Sequence, residues 1–478
     1  MKKKDYLIVG IIILIALAFR LYKIDTPLAD LHSWRQVDTA AVGRNFARDG
    51  FDLMKPRYDD LSSIQSGIEN PEGYRFVEFP LYSAIFGGLY RYLPIPSITV
   101  EMYGRLTSIF FSLIIIGVIY YLALKEHSRT AAIFASLTYA IFPFFVFFSR
   151  VVLPETMAVS SMFLAIFFVY LFTNGKKKNY IYFVLSILCY AIAILVKPTP
   201  IFYSLSIGYL FIAKYKFEVF KQWEPYVYFV LGVIPFILWR MYIVQFPEGI
   251  PASSWLFAYV NTFEGPKNIF FKPAFFRWIF MERLGIGILG IFMSFFMLLG
   301  VTSHLKKYFI HSTLFAAILY LFTFQGGNVQ HEYYQTIALP AFALIIGVGV
   351  AQVIKQSQIF NKLIAYPAII VIMALSFFFS FYKVKDYYVY PNDLPQIAKL
   401  IMTFTNPDDK IVTDRLGDTT LLYLADRKGA PAIYKPIPEL KAMGYSYLIT
   451  DKKDLTSQLK EQGMKVLVEN QQFSIIKL

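Results

Sequence analysis

The chain has 478 residues, 57% of them hydrophobic, 18% aromatic and only 16% charged, and its mean hydropathy is +0.51. A soluble globular enzyme carries about a quarter charged residues, so this composition excludes that class and indicates a polytopic membrane protein. A single cysteine, Cys189, excludes a disulfide scaffold, and the net charge of +14 sits largely in short loops between apolar segments, where it reads as a topology signal and not as a nucleic-acid surface.

A helix needs about 20 apolar residues to cross roughly 30 Å of hydrocarbon, and fewer where neighbouring helices bury its ends. Eleven segments qualify: 6–22, 101–124, 130–148, 155–173, 179–196, 200–213, 225–246, 284–302, 309–323, 335–353 and 363–381. A further apolar stretch, 80–93, is short and interrupted by Gly87, Gly88 and Arg91, so it reads as interfacial or re-entrant. With Lys2, Lys3 and Lys4 cytoplasmic, eleven spans place Lys125 and Arg129, Lys176 to Lys178, Lys214, Lys216 and Lys221, Lys306 and Lys307, and Lys355 and Lys362 on the cytoplasmic side. Counting 80–93 as a span would reverse all of them, against the positive-inside rule. No small-residue cleavage site follows the first apolar run, which is expected to remain as an anchor.

This count leaves the loops 23–100 and 247–283 and the tail 383–478 on the outer face, with the N-terminus cytoplasmic. The expected architecture is mainly α: a membrane helical bundle over 1–382 with a large outer first loop, followed by a small outer α/β domain over 383–478. The tail earns that reading because KIVTD at 410–414, the stretch 419–425, YSYLITD at 445–451, the polar stretch 453–462 and the final fifteen residues alternate strand and helix patterns.

Charges are scarce in the middle of the apolar segments, whereas a transporter places them there. They gather at outer helix ends: Arg105, Arg150 with Glu155, Lys197, and the run His331, Glu332, Tyr333, Tyr334. Such an arrangement suits a lipid with a charged head group at the membrane surface. A flippase or transporter for lipid-linked glycans, and a non-catalytic glycan-binding assembly protein, are the alternative readings.

Six landmarks in order, WRQVDTAAVGRNF at 34–46, EFPL at 78–81, Arg105-Leu106, SRVVLPE at 149–155, LVK at 195–197 and HEYYQTIALP at 331–340, resemble those of the family 39-type GT-C glycosyltransferases. That group includes protein O-mannosyltransferases and the aminoarabinose transferases of lipid A, and the likeness covers roughly residues 5–355. The resemblance implies transfer of a sugar, with inversion, from a polyprenyl-phosphate donor to a glycan, lipid or protein acceptor on the outer face of a membrane, expected to be the bacterial inner or plasma membrane. It also implies an acidic base in the first outer loop. Many relatives have an Asp-Glu pair near the start of the loop helix, and this chain has Arg35-Gln36 there.

Inverting transfer needs one carboxylate to take the acceptor proton, and the phosphate leaving group needs positive charge and no general acid. Asp38 leads as the base. At helical spacing Trp34, Asp38, Ala41 and Asn45 form one stripe, setting a carboxylate between an aromatic platform and an amide, which suits a sugar ring. The competing reading of Asp38 is an i,i+3 ion pair with Arg35. Asp30, just before the helix, is the rival base or a loop or cap residue.

Arg35, Arg105, Arg150, Lys197 and His331 are the candidate donor-phosphate ligands, and Trp34, Asn45, Glu155 and Tyr334 the candidate substrate contacts. For Arg105 and Lys197 the competing reading is snorkelling to lipid head groups. For Arg150 and Glu155 it is a pair across their short loop, and for His331 it is packing or a metal. The remaining histidines supply no ligand spacing, Asp59-Asp60 and Asp408-Asp409 read as turns, and no metal or other cofactor is expected.

Overall fold

The computed structural model describes residues 1–175, 177–253, 272–305, 307–356, 358–359 and 361–478. Lys176 and Lys306 of the basic loops and residues 254–271 of the second outer loop lie outside them. The chain groups into two compact units, Met1–Ile24 with Arg105–Trp239 and Ser253–Tyr387, and Asp25–Gly104 with Arg240–Ala252 and Tyr388–Leu478.

The first unit is helical. Unbroken apolar patterns become Lys3–Arg20, Glu155–Asn174, Tyr180–Val196, Phe309–Thr323 and Lys362–Val384, and the helices Val100–Glu126 and Glu224–Ile243 run mostly within it. Four segments expected to be continuous are broken, and one of them, 335–353, opens as the 3-10 turn Glu332–Ile337 before Leu339–Lys355. Segment 130–148 divides into Arg129–Ile141 and Pro143–Phe148, because Phe142, before a proline, leaves the helical region at φ −65° and ψ 134°. Segment 200–213 begins as a 3-10 turn, Thr199–Tyr203, before Ser204–Tyr215.

Segment 284–302 is a π-helix, Arg277–Ile288, followed by Met293–Thr302 at a bend of 115°. Gly290 lies at the bend with φ +51°, and a Cβ there would stand 1.7 Å from the Ser376 carbonyl oxygen, so only glycine allows this approach. Among the described residues four helices are long and apolar enough to span a membrane, or five if the bent pair is one span. The count therefore does not reach eleven by length. Tyr180–Val196, Phe309–Thr323 and Leu339–Lys355 are shorter apolar helices, of the kind a bundle tolerates when neighbours bury the ends.

Buried charges tie the first helix to the broken segment. Arg20, fully buried, donates to Ser149 Oγ at 2.8 Å and to the Ala140 and Tyr139 carbonyls at 2.8 and 2.9 Å. These carbonyls flank the helix break, where the i→i−4 ladder leaves acceptors without partners.

The second unit contains the helices Ser33–Asp49 and Leu81–Tyr92, the latter being the short stretch read as interfacial or re-entrant, and most of the tail. The tail folds as a five-stranded sheet of order β2-β1-β3-β5-β4, with β1 Lys410–Val412, β2 Gly429–Ala430, β3 Tyr445–Thr450, β4 Lys465–Glu469 and β5 Ser474–Lys477. β2, β1 and β3 are parallel, whereas β3, β5 and β4 are antiparallel. Ile397, Ile401, Leu421 and Ile475 pack in one core cluster, and Leu440, Leu448, Leu459 and Ile476 in another.

The edge strand β2 is covered. Leu61 N donates to the Gly429 carbonyl at 2.7 Å and Gly429 N to the Asp59 carbonyl at 2.9 Å, so the large first loop extends the tail's sheet and removes an open edge.

Candidate functional site

Asp38 lies on the helix Ser33–Asp49 with only 1% of its surface exposed. Its Oδ2 is 2.7 Å from Arg75 Nη2, and its Oδ1 accepts a 2.7 Å hydrogen bond from Thr419 Oγ1. Burial pushes its pKa above the ordinary carboxylate value, opposed by Arg75, the Thr419 hydroxyl and Arg35. The i,i+3 pair with Arg35 is not formed. Arg35 donates to Thr39 Oγ1 at 3.1 Å and pairs with Glu78, since in the folded loop Glu78 offers it a carboxylate while Arg75 occupies Asp38.

Arg75 was not singled out by the residue pattern. It belongs to an extended segment in which Tyr74 bridges Arg57, its guanidinium lies 4.9 Å from the centroid of the Tyr58 ring, and Nη1 donates to Gln65 Oε1 at 3.3 Å. Asp60 joins the same environment. Its Oδ1 accepts from Ser62 N and Oγ at 2.8 and 2.6 Å, which is the turn role expected of it. Burial raises its pKa to about 7.

Of the stripe on this helix, Asn45 is engaged within the protein. Its Nδ2 donates to the Arg57 carbonyl at 3.0 Å and its Oδ1 accepts from Arg48 at 3.1 Å. It therefore anchors the loop. Trp34 is half-buried. Asp30 is buried and accepts from Gln36 Nε2 at 2.6 Å.

The same unit holds a cavity of about 460 Å³ lined by Arg44, Arg48, Arg57, Asp59, Glu72 and Asp426, among others. Several of its charges are paired: Arg44 with Asp59 at 2.6 Å, Arg48 with Asp426 at 3.2 Å and Arg57 with Glu72 at 2.5 Å.

In the first unit the expected cations are buried instead of snorkelling. Arg105 Nη1 donates to the Ile24 carbonyl at 2.8 Å, and Arg150 donates to the Tyr22 and Lys23 carbonyls at 2.5 and 3.0 Å. Both thereby gather the chain just beyond the first helix, where carbonyls have no helical donors. The Arg150–Glu155 pair across the loop is absent, because Glu155 is taken by Lys197, Oε1 to Nζ 2.8 Å.

This pair joins two helix ends of opposite polarity. Glu155 opens Glu155–Asn174 and Lys197 caps the C-terminus of Tyr180–Val196, each charge lying where its helix dipole favours it. Lys197 Nζ also sits 5.9 Å from the centroid of the Tyr334 ring. His331 stacks on Tyr333 and Tyr334 at 5.5 and 6.2 Å, and Glu332 pairs with Arg283, whose Nη2 donates to the Val329 carbonyl at 2.8 Å. Among the described residues no three His, Cys, Asp or Glu side chains converge as a metal site.

Residues 99–241 match the family described as dolichyl-phosphate-mannose-protein mannosyltransferase. No curated protein matches the chain in sequence. Among solved structures, ArnT from Cupriavidus metallidurans in the apo state is 13% identical, with 98% of this chain and 97% of that one covered and a TM-score of 0.66. The structure of ArnT bound to undecaprenyl phosphate gives 0.64. The oligosaccharyltransferase AglB from Archaeoglobus fulgidus, in complex with an inhibitory peptide and a dolichol-phosphate, is 10% identical over 94% of this chain and 69% of that one, TM-score 0.61. The arabinofuranosyltransferase AftD from mycobacteria is 11% identical over 100% and 41%, TM-score 0.60. The fold is thus the GT-C fold these glycosyltransferases share.

Proposed function

We propose that the chain is an integral membrane glycosyltransferase that moves a sugar from a polyprenyl-phosphate donor to an acceptor on the outer face, with inversion and with Asp38 as the base. The observation that carries this reading is a buried carboxylate with a raised pKa, held between Arg75 and Thr419, in a chain sharing the fold of an enzyme crystallised with undecaprenyl phosphate. A general base works best when its pKa approaches the operating pH. With one oxygen facing Arg75 and the other facing Thr419, each oxygen keeps a second lone pair for an acceptor hydroxyl.

In this mechanism the acceptor oxygen attacks the anomeric carbon from the face opposite the lipid phosphate. The new C–O bond forms as the sugar–phosphate bond breaks, the acceptor proton passes to Asp38, and the bonding pair leaves with the phosphate. No redox partner or general acid is needed. Arg35, Arg105, Arg150, Lys197 and His331 are the proposed phosphate ligands, and Lys197 lies beside both Glu155 and the Tyr334 ring. Trp34 and Tyr334 are the proposed sugar platforms. Asp30 is the second carboxylate to be tested as base.

The acceptor is a protein hydroxyl, a lipid-linked glycan or a cell-wall polymer, in the inner or plasma membrane of a bacterium. Comparing membranes with and without the protein by mass spectrometry should reveal a glycosylated product and an accumulated donor lipid. Identical profiles would point to glycan binding or transport without turnover.

A further inference from the structure

Thr419 stands at the N-cap of the short helix Thr420–Leu424, a position where a threonine hydroxyl ordinarily accepts from the first backbone amides of its own helix. Here the side chain makes no capping hydrogen bond. The hydroxyl is buried, 2% exposed, and turns to the helix Ser33–Asp49. Its single proton has two acceptors, Asp38 Oδ1 at 2.7 Å and the Trp34 carbonyl at 3.4 Å. The shorter contact lies in the range of a charge-assisted O–H···O⁻ bond, so the proton goes to the carboxylate.

The loop that delivers Thr419 is held in an unusual conformation. Asp414, Leu416 and Gly417 have φ of +39°, +54° and +94°, and two of these are not glycine, a backbone that persists only where surrounding contacts hold it. Those contacts are present. Arg415 N donates to the Pro431 carbonyl at 2.7 Å, Thr420 N to Asp418 Oδ1 at 2.8 Å, and Thr420 Oγ1 to Ser33 Oγ at 2.9 Å.

We propose that Thr419 is a positioning residue for the base: its hydroxyl fixes the Asp38 carboxylate and keeps it ionised, which makes the C-terminal domain part of the catalytic apparatus. This rests on the reading of Asp38 as the base. The charged and titratable groups that face Asp38 are Arg75 and Arg35, which favour the carboxylate, and Asp418 and Asp60, which oppose it, with the Tyr58 phenol nearby. With Asp418, and Asp60 where it is ionised, opposing the two arginines in a buried site, loss of the Thr419 donor leaves Oδ1 without that hydrogen bond and shifts the balance toward the protonated, inactive acid.

The test follows the rate of product formation against pH in membranes carrying the full chain with their own donor lipid and acceptor. Thr419→Val, nearly isosteric and without the hydroxyl, should move the acid limb of the profile upward by about one pH unit or more, and Thr419→Ser should restore it. Thr419→Ala, which cannot overpack, is read by the same limb if the valine variant is unstable. Thr420→Val removes the neighbouring bond to Ser33 and should leave the limb in place. An unmoved limb in the valine and alanine variants overturns the proposal, as does a serine variant that resembles valine or a Thr420→Val limb that moves equally. Asp38→Asn is run beside them: if it retains turnover, the base assignment has failed, whereas an inactive Asp38→Asn with an unmoved Thr419→Val limb removes only the role of Thr419.

Discussion

Arg75 closes on Asp38 from a different part of the first outer loop, Nη2 to Oδ2 2.7 Å, with 6% and 1% of the two side chains exposed. The pair is therefore buried, and breaking one side of it leaves the other charge without compensation, which costs about 3–5 kcal/mol. Arg75→Met should lower the unfolding free energy by about that much and raise the pKa of Asp38. Adding Asp38→Asn to Arg75→Met should return most of the stability. Denaturation of the four proteins of this double-mutant cycle checks it, and strict additivity would show that the two groups do not interact.

Asp38→Asn preserves size and removes the proposed base, so kcat should fall at least about 100-fold, the lower end of what general-base assistance supplies, while donor binding is kept. Asp30→Asn is the paired measurement. Near-normal turnover in Asp38→Asn with collapse in Asp30→Asn would move the base to Asp30, and normal turnover in both would sink the single-carboxylate mechanism.

Lys197 and Glu155 should respond in opposite directions. Lys197→Met removes the proposed charge-assisted contact to the donor phosphate, worth roughly 1.5–3 kcal/mol, and should raise the donor KM at least about tenfold. Glu155→Gln releases Lys197 from its carboxylate, 2.8 Å away, and should lower donor KM. If both variants only lose thermal stability, the pair is a tie between helix ends and nothing more.

Asp60 makes a pH-dependent contribution to stability. Its carboxyl titrates near 3.8 when exposed and at about 7 in the fold, so between these values the folded protein holds a proton that the unfolded chain has released. The stabilisation is complete below about pH 4 and is lost as pH rises through 7. Asp60→Asn, which cannot ionise, should therefore gain in Tm over the wild type as pH rises from 5 to 8, by at least about 2–4 °C. Parallel Tm curves would refute this.

The proposed topology predicts that a reporter active only in the cytoplasm is silent when fused after Leu478 and active when fused before Met1. Strong signal from the C-terminal fusion would reverse the orientation read from the basic loops.

The sequence by itself determined the membrane class, the helical positions of the apolar segments and the α/β tail, because these depend on composition and on periodicities of 3.6 and 2, which are local properties. It also marked Asp38 and Lys197, whose charges are conspicuous against apolar neighbours. What it could not supply was partner choice and helix continuity. The competing reading of Asp38 pairs it with Arg35, one turn away, yet the ion pair is made by Arg75 and the hydrogen bond by Thr419, 381 positions along the chain. The competing reading of Glu155 pairs it with Arg150 across their short loop, yet Lys197 takes it. The bend after Ile288 depends on Gly290 meeting the backbone of Ser376, and several apolar helices are shorter than a bilayer. Each of these outcomes is set by which buried charges and backbone groups find compensation once the chain is folded, since a buried group left without a partner costs more than any local preference can return.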